Sequence, residues 1–292
     1  MTRPAVVLFI GLGRIGLSLG QRLLHAGLDV SAWDLDPEAM ARWRDAGGRV
    51  AELVEVEQPQ ARTVLLCLPT PTAVDDLLKR WARLGRLHTP LVIDLGTAGP
   101  SQSRSFADQV QRLGAAYLDA PVTGGAAAAA AGSIIVMAGG TPAAFAAARE
   151  VLETLSDTVL HVGPSGSGSQ LKAIVQLIYL SYNAAFGLGL QLADQANLPR
   201  SAVMQTLTGG ASAHPLINIR LDGMTTGDTS ARFLVWRALK DLHGLEERSG
   251  YSAAARRWIE TLEATLREAG DEQGTDQDIL SVLAPKTFSI ND

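Results

Sequence analysis

Short apolar runs alternate with amphipathic segments along the first 162 residues of the chain. The apolar runs predict strands at Val6–Ile10, Asp29–Trp33, Thr63–Leu68, Leu91–Asp94, Ala116–Asp119, Ile134–Ala138 and Val159–Val162. The segments between them predict helices at Ile15–Ala26, Pro37–Ala46, Ala73–Leu84, Ser101–Leu113 and Pro142–Leu155. Strands that alternate with helices of this length indicate a parallel sheet with helices on both of its faces.

The strand pattern ends at a segment rich in glycine and serine, Gly163–Gly168. Every later periodic segment is helical, at 170–196, 200–208, 213–223, 232–249, 252–269 and 276–284. We therefore predict two domains, 1–164 and 165–292. The fold class is α/β: an N-terminal Rossmann-type doubly wound domain is followed by an all-α domain that begins with a long interdomain helix.

That long helix carries no charge from Ala173 to Ala193, a stretch long enough to cross a bilayer. It contains polar side chains, among them Gln176, Asn183 and Gln191, and no Lys/Arg clusters flank it. We therefore predict a buried helix of a soluble protein with no membrane partner. Because the helix has no polar stripe, we expect a second subunit to complete its enclosure, in a homodimer or a homotetramer.

Composition narrows the class of protein. Hydrophobic residues make up 47% of the 292 residues, which excludes a disordered chain. The net charge of −5 argues against binding to nucleic acid. The single cysteine, Cys67, cannot form an internal disulfide, so we expect a reducing, cytoplasmic location. The five histidines are scattered, and their spacing predicts no metal site.

A glycine motif follows the first predicted strand and opens the first helix. Its residues are Gly11, Leu12, Gly13, Arg14, Ile15 and Gly16. In such a motif the first glycine permits a tight turn, the second lets a pyrophosphate approach the backbone, and the third allows close packing of helix and sheet. The N-terminus of the helix supplies N–H groups and a partial positive charge. This pattern predicts a dinucleotide site.

The end of the second predicted strand indicates which dinucleotide binds. Asp34 lies there, where a carboxylate accepts hydrogen bonds from ribose hydroxyls and repels a 2′-phosphate. The next residue is Leu35, not an arginine that would hold such a phosphate. We therefore predict NAD rather than NADP as the cofactor. An ordinary helix cap before Pro37 is the alternative reading of Asp34.

Four further segments carry motifs. Along the chain they are Asp94–Pro100, Asp119–Gly125, Gly163–Lys172, and Phe233 with Lys240, Asp241 and Leu242. Together with the glycine motif, they resemble the β-hydroxyacid dehydrogenase family, which includes 3-hydroxyisobutyrate and tartronate semialdehyde dehydrogenases and lies in the 6-phosphogluconate dehydrogenase superfamily. The resemblance covers essentially the whole chain.

The resemblance implies a role for each motif. Thr123, Gly124 and Gly125 offer a hydroxyl and backbone N–H groups to a carboxylate or similar anionic group of a small-molecule substrate. Lys172 is the implied general acid/base, which exchanges a proton with the substrate hydroxyl. The remaining implied cofactor contacts are Leu68, Pro69, Thr97 and Lys240.

The implied substrate contacts also include Gln176, Phe233 and Asp241. Gln176 stands where the family usually has asparagine, and its i,i+4 spacing places it on the same helix face as Lys172. The longer side chain must reshape the pocket, so no particular family substrate carries over. A second departure is Gly96, where the family commonly has serine.

The motifs together predict an oxidoreductase that transfers a hydride between NAD and a short 3-hydroxy acid, or reduces the matching semialdehyde or oxo acid. One alternative is an imine reductase-like enzyme that uses NAD(P)H, although Lys172 and Asp34 oppose it. The other is a non-catalytic dinucleotide-binding protein, which only the change at Gln176 favours.

Overall fold

The computed structural model describes residues 7–214, 233–245 and 251–279. Within these ranges nine strands form one sheet, with the order β3-β2-β1-β4-β5-β6-β8-β7 and with β9 paired to β8. The strands are β1 (Val7–Ile10), β2 (Val30–Trp33), β3 (Arg49–Val50), β4 (Thr63–Leu66), β5 (Leu91–Asp94), β6 (Ala116–Asp119), β7 (Val122–Thr123), β8 (Ile135–Gly139) and β9 (Thr158–Gly163).

Most of this sheet is parallel, from β3 through β6 and again between β8 and β9. However, β8 runs antiparallel to β6 and β7, which corrects the expectation of a purely parallel sheet. The connection from β7 to β8 spans only residues 124–134. A parallel crossover needs a dozen or more residues, so this shorter connection reverses the chain.

Eleven helices lie within the described ranges. They are α1 (Arg14–His25), α2 (Pro37–Asp45), α3 (Leu53–Glu57), α4 (Pro71–Ala82), α5 (Pro100–Arg112), α6 (Gly125–Ala131), α7 (Pro142–Leu155), α8 (Ser167–Gln195), α9 (Arg200–Gly209), α10 (Val235–His243) and α11 (Ala253–Gln273). The helix predicted at 213–223 lies almost wholly outside the described residues. Of the helix predicted at 276–284, residues 276–278 form a turn and a bridge, and residues from 280 onward lie outside the described ranges.

Alternate residues of the central strands pack into two apolar cores, one on each face of the sheet. In β1, Val7 and Phe9 pack into one core, whereas Leu8 and Ile10 pack into the other. This burial on both faces explains why the parallel strands read as continuous apolar runs rather than as an alternation of apolar and polar residues. The predicted doubly wound α/β fold with a helical C-terminal region is confirmed.

The chain divides into two compact units, Met1–Ile174 and Val175–Asp292. The division falls inside α8, beyond the domain boundary predicted between residues 164 and 165. In the second unit, Phe186 and Leu190 of α8 pack with Val203, Met204 and Leu207. In the same unit, Leu234 pairs with Asp278 in an isolated bridge that directly precedes α10 in the chain.

By length and composition alone, α8 could cross a membrane, and 44% of its most apolar window is buried within the protein. The core helix of a soluble protein meets the same criteria. The helix is therefore weak evidence for a membrane span.

Candidate active site

The loop between β1 and α1 has the geometry that the glycine motif predicts. Gly11 has φ +102°, and a Cβ atom built on it would lie 2.4 Å from the carbonyl oxygen of Cys67. A Cβ on Gly16 would lie 2.0 Å from the carbonyl oxygen of Gly11. A Cβ on Gly13 would meet no heavy atom within 4 Å. The protein itself therefore requires the first and third glycines, whereas the second leaves space in front of the helix.

The N-terminus of α1 is suited to an anion. Its N-cap is Gly13, which offers no side-chain acceptor, and its first turn contains no acidic residue. The unpaired N–H groups and the dipole of such a helix end attract a phosphate. The exposed side chain of Arg14 and the half-buried side chain of Ile15 lie at this same end.

Asp34 follows β2 and is tied to this loop. Its Oδ2 accepts a hydrogen bond from the backbone N–H of Leu12 at 2.5 Å, and its Oδ1 accepts one from the N–H of Asp36 at 2.8 Å. An ionised carboxylate has about four lone-pair positions, so these two bonds leave acceptor capacity for ribose hydroxyls. Leu35 is 85% exposed. The cap of α2 is Asp36 rather than Asp34, since the Asp36 side chain accepts from Glu38 N–H.

The ends of β4 and β5 form the next part of this edge of the sheet. Leu68 is half-buried beside Gly11, and Pro69 is exposed. Beyond β5, the backbone N–H of Gly96 donates to Asp94 Oδ1 at 2.8 Å, and a Cβ on Gly96 would lie 2.9 Å from the same oxygen. This turn places the half-buried Thr97 after the strand. Glycine at position 96 thus fits the close approach to Asp94.

The segment Thr123–Gly125 lies at the end of β7. Gly124 has φ +134° and Gly125 has φ +77°, both in the region that favours glycine. A Cβ on Gly125 would meet no heavy atom within 4 Å. Thr123 is half-buried, and the backbone of Gly124 and Gly125 that follows it is exposed.

Lys172 lies in the second turn of α8 and is only 9% exposed. A buried ammonium group is costly unless hydrogen bonds or charged partners replace the hydration that burial removes. The carboxylate of Asp119, at the end of β6, holds the first turn of this helix. The sequence did not identify Asp119 as a functional residue. Only its position at the end of a predicted strand, within a matched motif, could have drawn attention to it.

In the second unit, three of the predicted residues come together. The Gln176 amide nitrogen donates to Asp241 Oδ2 at 2.5 Å, and each of these two residues is 6% exposed. Lys240 Nζ lies 3.4 Å from Asp241 Oδ1. Within the described residues that oxygen accepts no hydrogen bond. Gln176 therefore points its amide at Asp241.

Aromatic side chains line the same helix further along. The ring of Tyr179 packs edge-on against Phe233 with ring centroids 5.4 Å apart, and the Asn183 amide donates to the Tyr179 carbonyl oxygen at 2.7 Å. His214 stacks at a tilt on Tyr182, 4.5 Å between centroids. Tyr179 and Asn183 thus have packing and local hydrogen-bonding roles.

The residues of the first unit fit a dinucleotide. The open space at Gly13, the uncapped N-terminus of α1 and the carboxylate of Asp34 match its pyrophosphate and ribose. Among the described residues, no group of three or more His, Cys, Asp or Glu side chains could hold a metal ion. Burial, with help from nearby carboxylates, raises the pKa of the Cys67 thiol to about 12, so this thiol is unreactive.

Comparison with known proteins agrees with this geometry. Residues 6–163 match the family model of the NAD binding domain of 6-phosphogluconate dehydrogenase. The chain is 33% identical to a 3-hydroxyisobutyrate dehydrogenase of Pseudomonas aeruginosa over 73% of both chains. It is 30% identical to an L-threonate dehydrogenase of Cupriavidus necator over 80% of both. The match to the mitochondrial 3-hydroxyisobutyrate dehydrogenase of Mus musculus spans 52% of that protein's length.

The fold also matches solved structures. A 3-hydroxyisobutyrate dehydrogenase from Salmonella typhimurium superimposes with a TM-score of 0.83 over 97% of this chain and 99% of its own, at 27% identity. An imine reductase from Myxococcus stipitatus superimposes with a TM-score of 0.62 over 96% of this chain and 99% of its own. At 18% identity, that second match shows the fold alone. Because residues 6–163 match this NAD binding domain and the 3-hydroxyisobutyrate dehydrogenase of Pseudomonas aeruginosa is 33% identical over 73% of the chain, the chain belongs to the β-hydroxyacid dehydrogenase family of oxidoreductases, in the 6-phosphogluconate dehydrogenase superfamily.

Proposed function

We propose that the chain is an NAD-dependent dehydrogenase that moves a hydride between NAD and a short 3-hydroxy acid, or reduces the matching semialdehyde or oxo acid. The observation that carries this proposal is the burial of Lys172 at the start of a helix that is otherwise uncharged up to Ala193. The dehydrogenases among the relatives support the class of reaction.

The cofactor would be held by Gly11–Gly16, Asp34, Leu68, Pro69, Thr97 and Lys240. NAD, when bound, supplies the hydride acceptor. We assign NAD rather than NADP because the carboxylate of Asp34 would repel a 2′-phosphate, and Leu35 offers no cation to hold one.

The chain's own residues perform the remaining steps. The Thr123 hydroxyl and the backbone N–H groups of Gly124 and Gly125 bind the substrate carboxylate and orient the substrate. Neutral Lys172 accepts the proton of the substrate hydroxyl during oxidation, and the ammonium form returns it during reduction. The positive charge of the ammonium form also stabilises an alkoxide oxygen as it develops. We assign Gln176, Phe233 and Asp241 to the substrate side of the site.

The test is NADH formation by the purified protein against a panel of 3-hydroxy acids that includes 3-hydroxyisobutyrate, glycerate, serine and L-threonate. Lys172→Ala should lower turnover by roughly 10²–10⁴-fold, the usual size of an acid–base contribution, with NAD affinity largely kept. Lys79→Ala is the matched control, because the Lys79 side chain is 65% exposed and pairs with Asp75 on α4. Activity that survives in Lys172→Ala would refute the assignment. Imine reduction with NADPH, or binding without turnover of any substrate, would support one of the alternatives instead.

We further propose a soluble, cytoplasmic homo-oligomer, joined through the helical unit. On α8, Ile178 is 65% exposed and Leu192 is 66% exposed, and Leu188 between them is also exposed. On α11, Trp258 is 47% exposed, and its indole N–H donates to the Ser181 hydroxyl of α8 at 2.7 Å. These large exposed apolar side chains on the helical unit support an interface there.

A further inference from the structure

The carboxylate of Asp119 binds the backbone of a helix that lies far away in the sequence. Asp119 ends β6 and is 2% exposed. Its Oδ1 accepts a hydrogen bond from the N–H of Gly166 at 2.7 Å, and its Oδ2 accepts one from the N–H of Ser169 at 2.9 Å. Gly166 directly precedes α8, and Ser169 lies in the first turn of that helix. One carboxylate therefore satisfies two of the N–H groups that a helix N-terminus leaves without a partner.

A side chain at the N-cap position commonly performs this task. Gly166 precedes α8 and has no side chain, so the cap comes from β6 instead. A carboxylate is the strongest acceptor available for this purpose, because its charge also interacts favourably with the positive end of the helix dipole.

The backbone around this cap is packed too tightly to admit a side chain. A Cβ on Gly168 would lie 2.2 Å from the carbonyl oxygen of Met137 and 2.5 Å from that of Asp119. A Cβ on Gly139 would lie 2.7 Å from Asp119 Oδ1. The first turn of α8 thus rests directly on the backbone of β6 and β8.

A third attachment comes from α5. The hydroxyl groups of Ser103 and Ser169 lie 2.7 Å apart, and both residues are 1% exposed. The first turn of α8 is therefore held by a carboxylate, by backbone contact and by a buried hydroxyl pair. Lys172 comes three residues after Ser169, less than one helical turn further on.

We propose that Asp119 is a positioning residue for the reaction, whose ionised carboxylate fixes the first turn of α8 and thereby the place of Lys172. This inference rests on the proposed function of Lys172. A catalytic group misplaced by about 1 Å can cost about 10²-fold in rate, so the loss of this cap should appear in kcat rather than in nucleotide affinity.

The ionisation of the Asp119 carboxylate provides a second test of its positioning role. Burial raises the pKa of Asp119 to about 6, helped by the nearby charge of Asp94, although its backbone hydrogen bonds favour the ionised form. The other ionisable side chains on the surrounding elements are Tyr117 on β6, Arg104, Asp108 and Arg112 on α5, and Lys172 near the start of α8, with Tyr179, Tyr182 and Asp194 further along that helix; β8 has none. Protonation converts an acceptor oxygen into an O–H donor that cannot accept from an N–H group in the same way. Protonation below about pH 6 should therefore change how the first turn of α8 is held, although it relieves the cost of burying the charge.

The test compares Asp119→Asn with Asp108→Asn, an exposed aspartate on α5 that serves as the matched control. We expect Asp119→Asn to lower kcat by about 10²-fold, with the Kd for NAD unchanged. In the direction of reduction, where Lys172 must be protonated, the kcat of the wild type and of the control should fall on the acid side of about pH 6, and that fall should be absent from Asp119→Asn. Unchanged kcat in Asp119→Asn, or the same acid-side fall in it, would overturn the inference.

If Asp119→Asn does not fold, the role of Asp119 can still be tested by hydrogen–deuterium exchange of the wild-type protein. After correction for intrinsic exchange, the protection of the first turn of α8 should change between about pH 7 and about pH 5, while that of α7 stays the same. Equal behaviour of the two helices would contradict the inference. The Lys172→Ala variant separates the two proposals: if it keeps turnover, the proposed function fails, whereas if only Asp119→Asn keeps turnover, the positioning role alone fails.

Discussion

Gly13, the N-cap of α1, allows nucleotide binding to be perturbed without perturbing the fold. In Gly13→Ala the new methyl group would meet no heavy atom within 4 Å. The backbone of Gly13 has φ −62° and ψ −174°, a conformation that alanine adopts without strain. We therefore expect the free energy of unfolding to change by no more than about 0.5 kcal/mol, as for an unconstrained surface position.

The affinity for NAD should respond differently to the same methyl group. The second glycine of this motif is where the pyrophosphate approaches the backbone, so the methyl would stand in the space that the phosphates need. Losing one charge-assisted hydrogen bond to a phosphate costs about 1.5–3 kcal/mol. At about 1.4 kcal/mol per factor of ten, the Kd for NAD should rise roughly 10- to 100-fold.

Gly16→Ala is the matched control, because the same methyl group there would lie 2.0 Å from the carbonyl oxygen of Gly11. Relieving that overlap should cost about 1–3 kcal/mol of stability, the usual range for overpacking. Urea unfolding measures the stability of both variants, and isothermal titration calorimetry measures their Kd for NAD. The reasoning is refuted if Gly13→Ala is destabilised as much as Gly16→Ala, or if it binds NAD as tightly as the wild type.

Two further predictions concern the cofactor and the assembly. Asp34→Ala should lower the ratio of catalytic efficiency with NAD to that with NADP by about tenfold, because it removes one charged partner of the ribose. If the unmutated protein is as efficient with NADP as with NAD, the assignment of the cofactor is wrong. Ile178→Lys should dissociate the oligomer by placing a charge in an apolar interface, which we expect to exceed about 2,000 Å² in total. Light scattering that finds only a 30.8 kDa species for the wild type at micromolar concentration would exclude that assembly.

Local pattern was enough to predict the larger elements. The strand Leu91–Asp94 and the helix Pro142–Leu155 have the predicted bounds. The strand is a short apolar run and the helix has a clear periodicity, and each has a proline or a polar residue at its boundary. The two-residue strands β3 and β7 and the five-residue α3 were missed, because elements of that length show no period. The antiparallel direction of β8 was also missed, because the direction of a strand depends on the length of its connections and on which strands it pairs with.

The candidate site divides in the same way. The nucleotide loop could be predicted because its chemistry lies in six consecutive residues and one strand end. The pairing of Gln176 with Asp241 joins residues 65 apart in the chain, and the cap on Gly166 and Ser169 joins residues 47 and 50 apart. Such contacts are made by tertiary packing, which leaves no periodic trace in a single sequence.

The cap also shows that this region is not arranged for greatest stability. The pKa of Asp119 is raised from 3.8 to about 6, so between these values the native state binds more protons than the unfolded chain. Stability then falls as the pH rises through this window, and by neutral pH the ionised carboxylate costs about 3 kcal/mol relative to its protonated form. Unfolding measured from about pH 4 to about pH 7 should show this decline in the wild type and not in Asp119→Asn. The buried charge of Asp119 thus lowers the stability of the folded protein. This loss of stability is located at the start of the helix that bears Lys172, as expected where stability is given up for function.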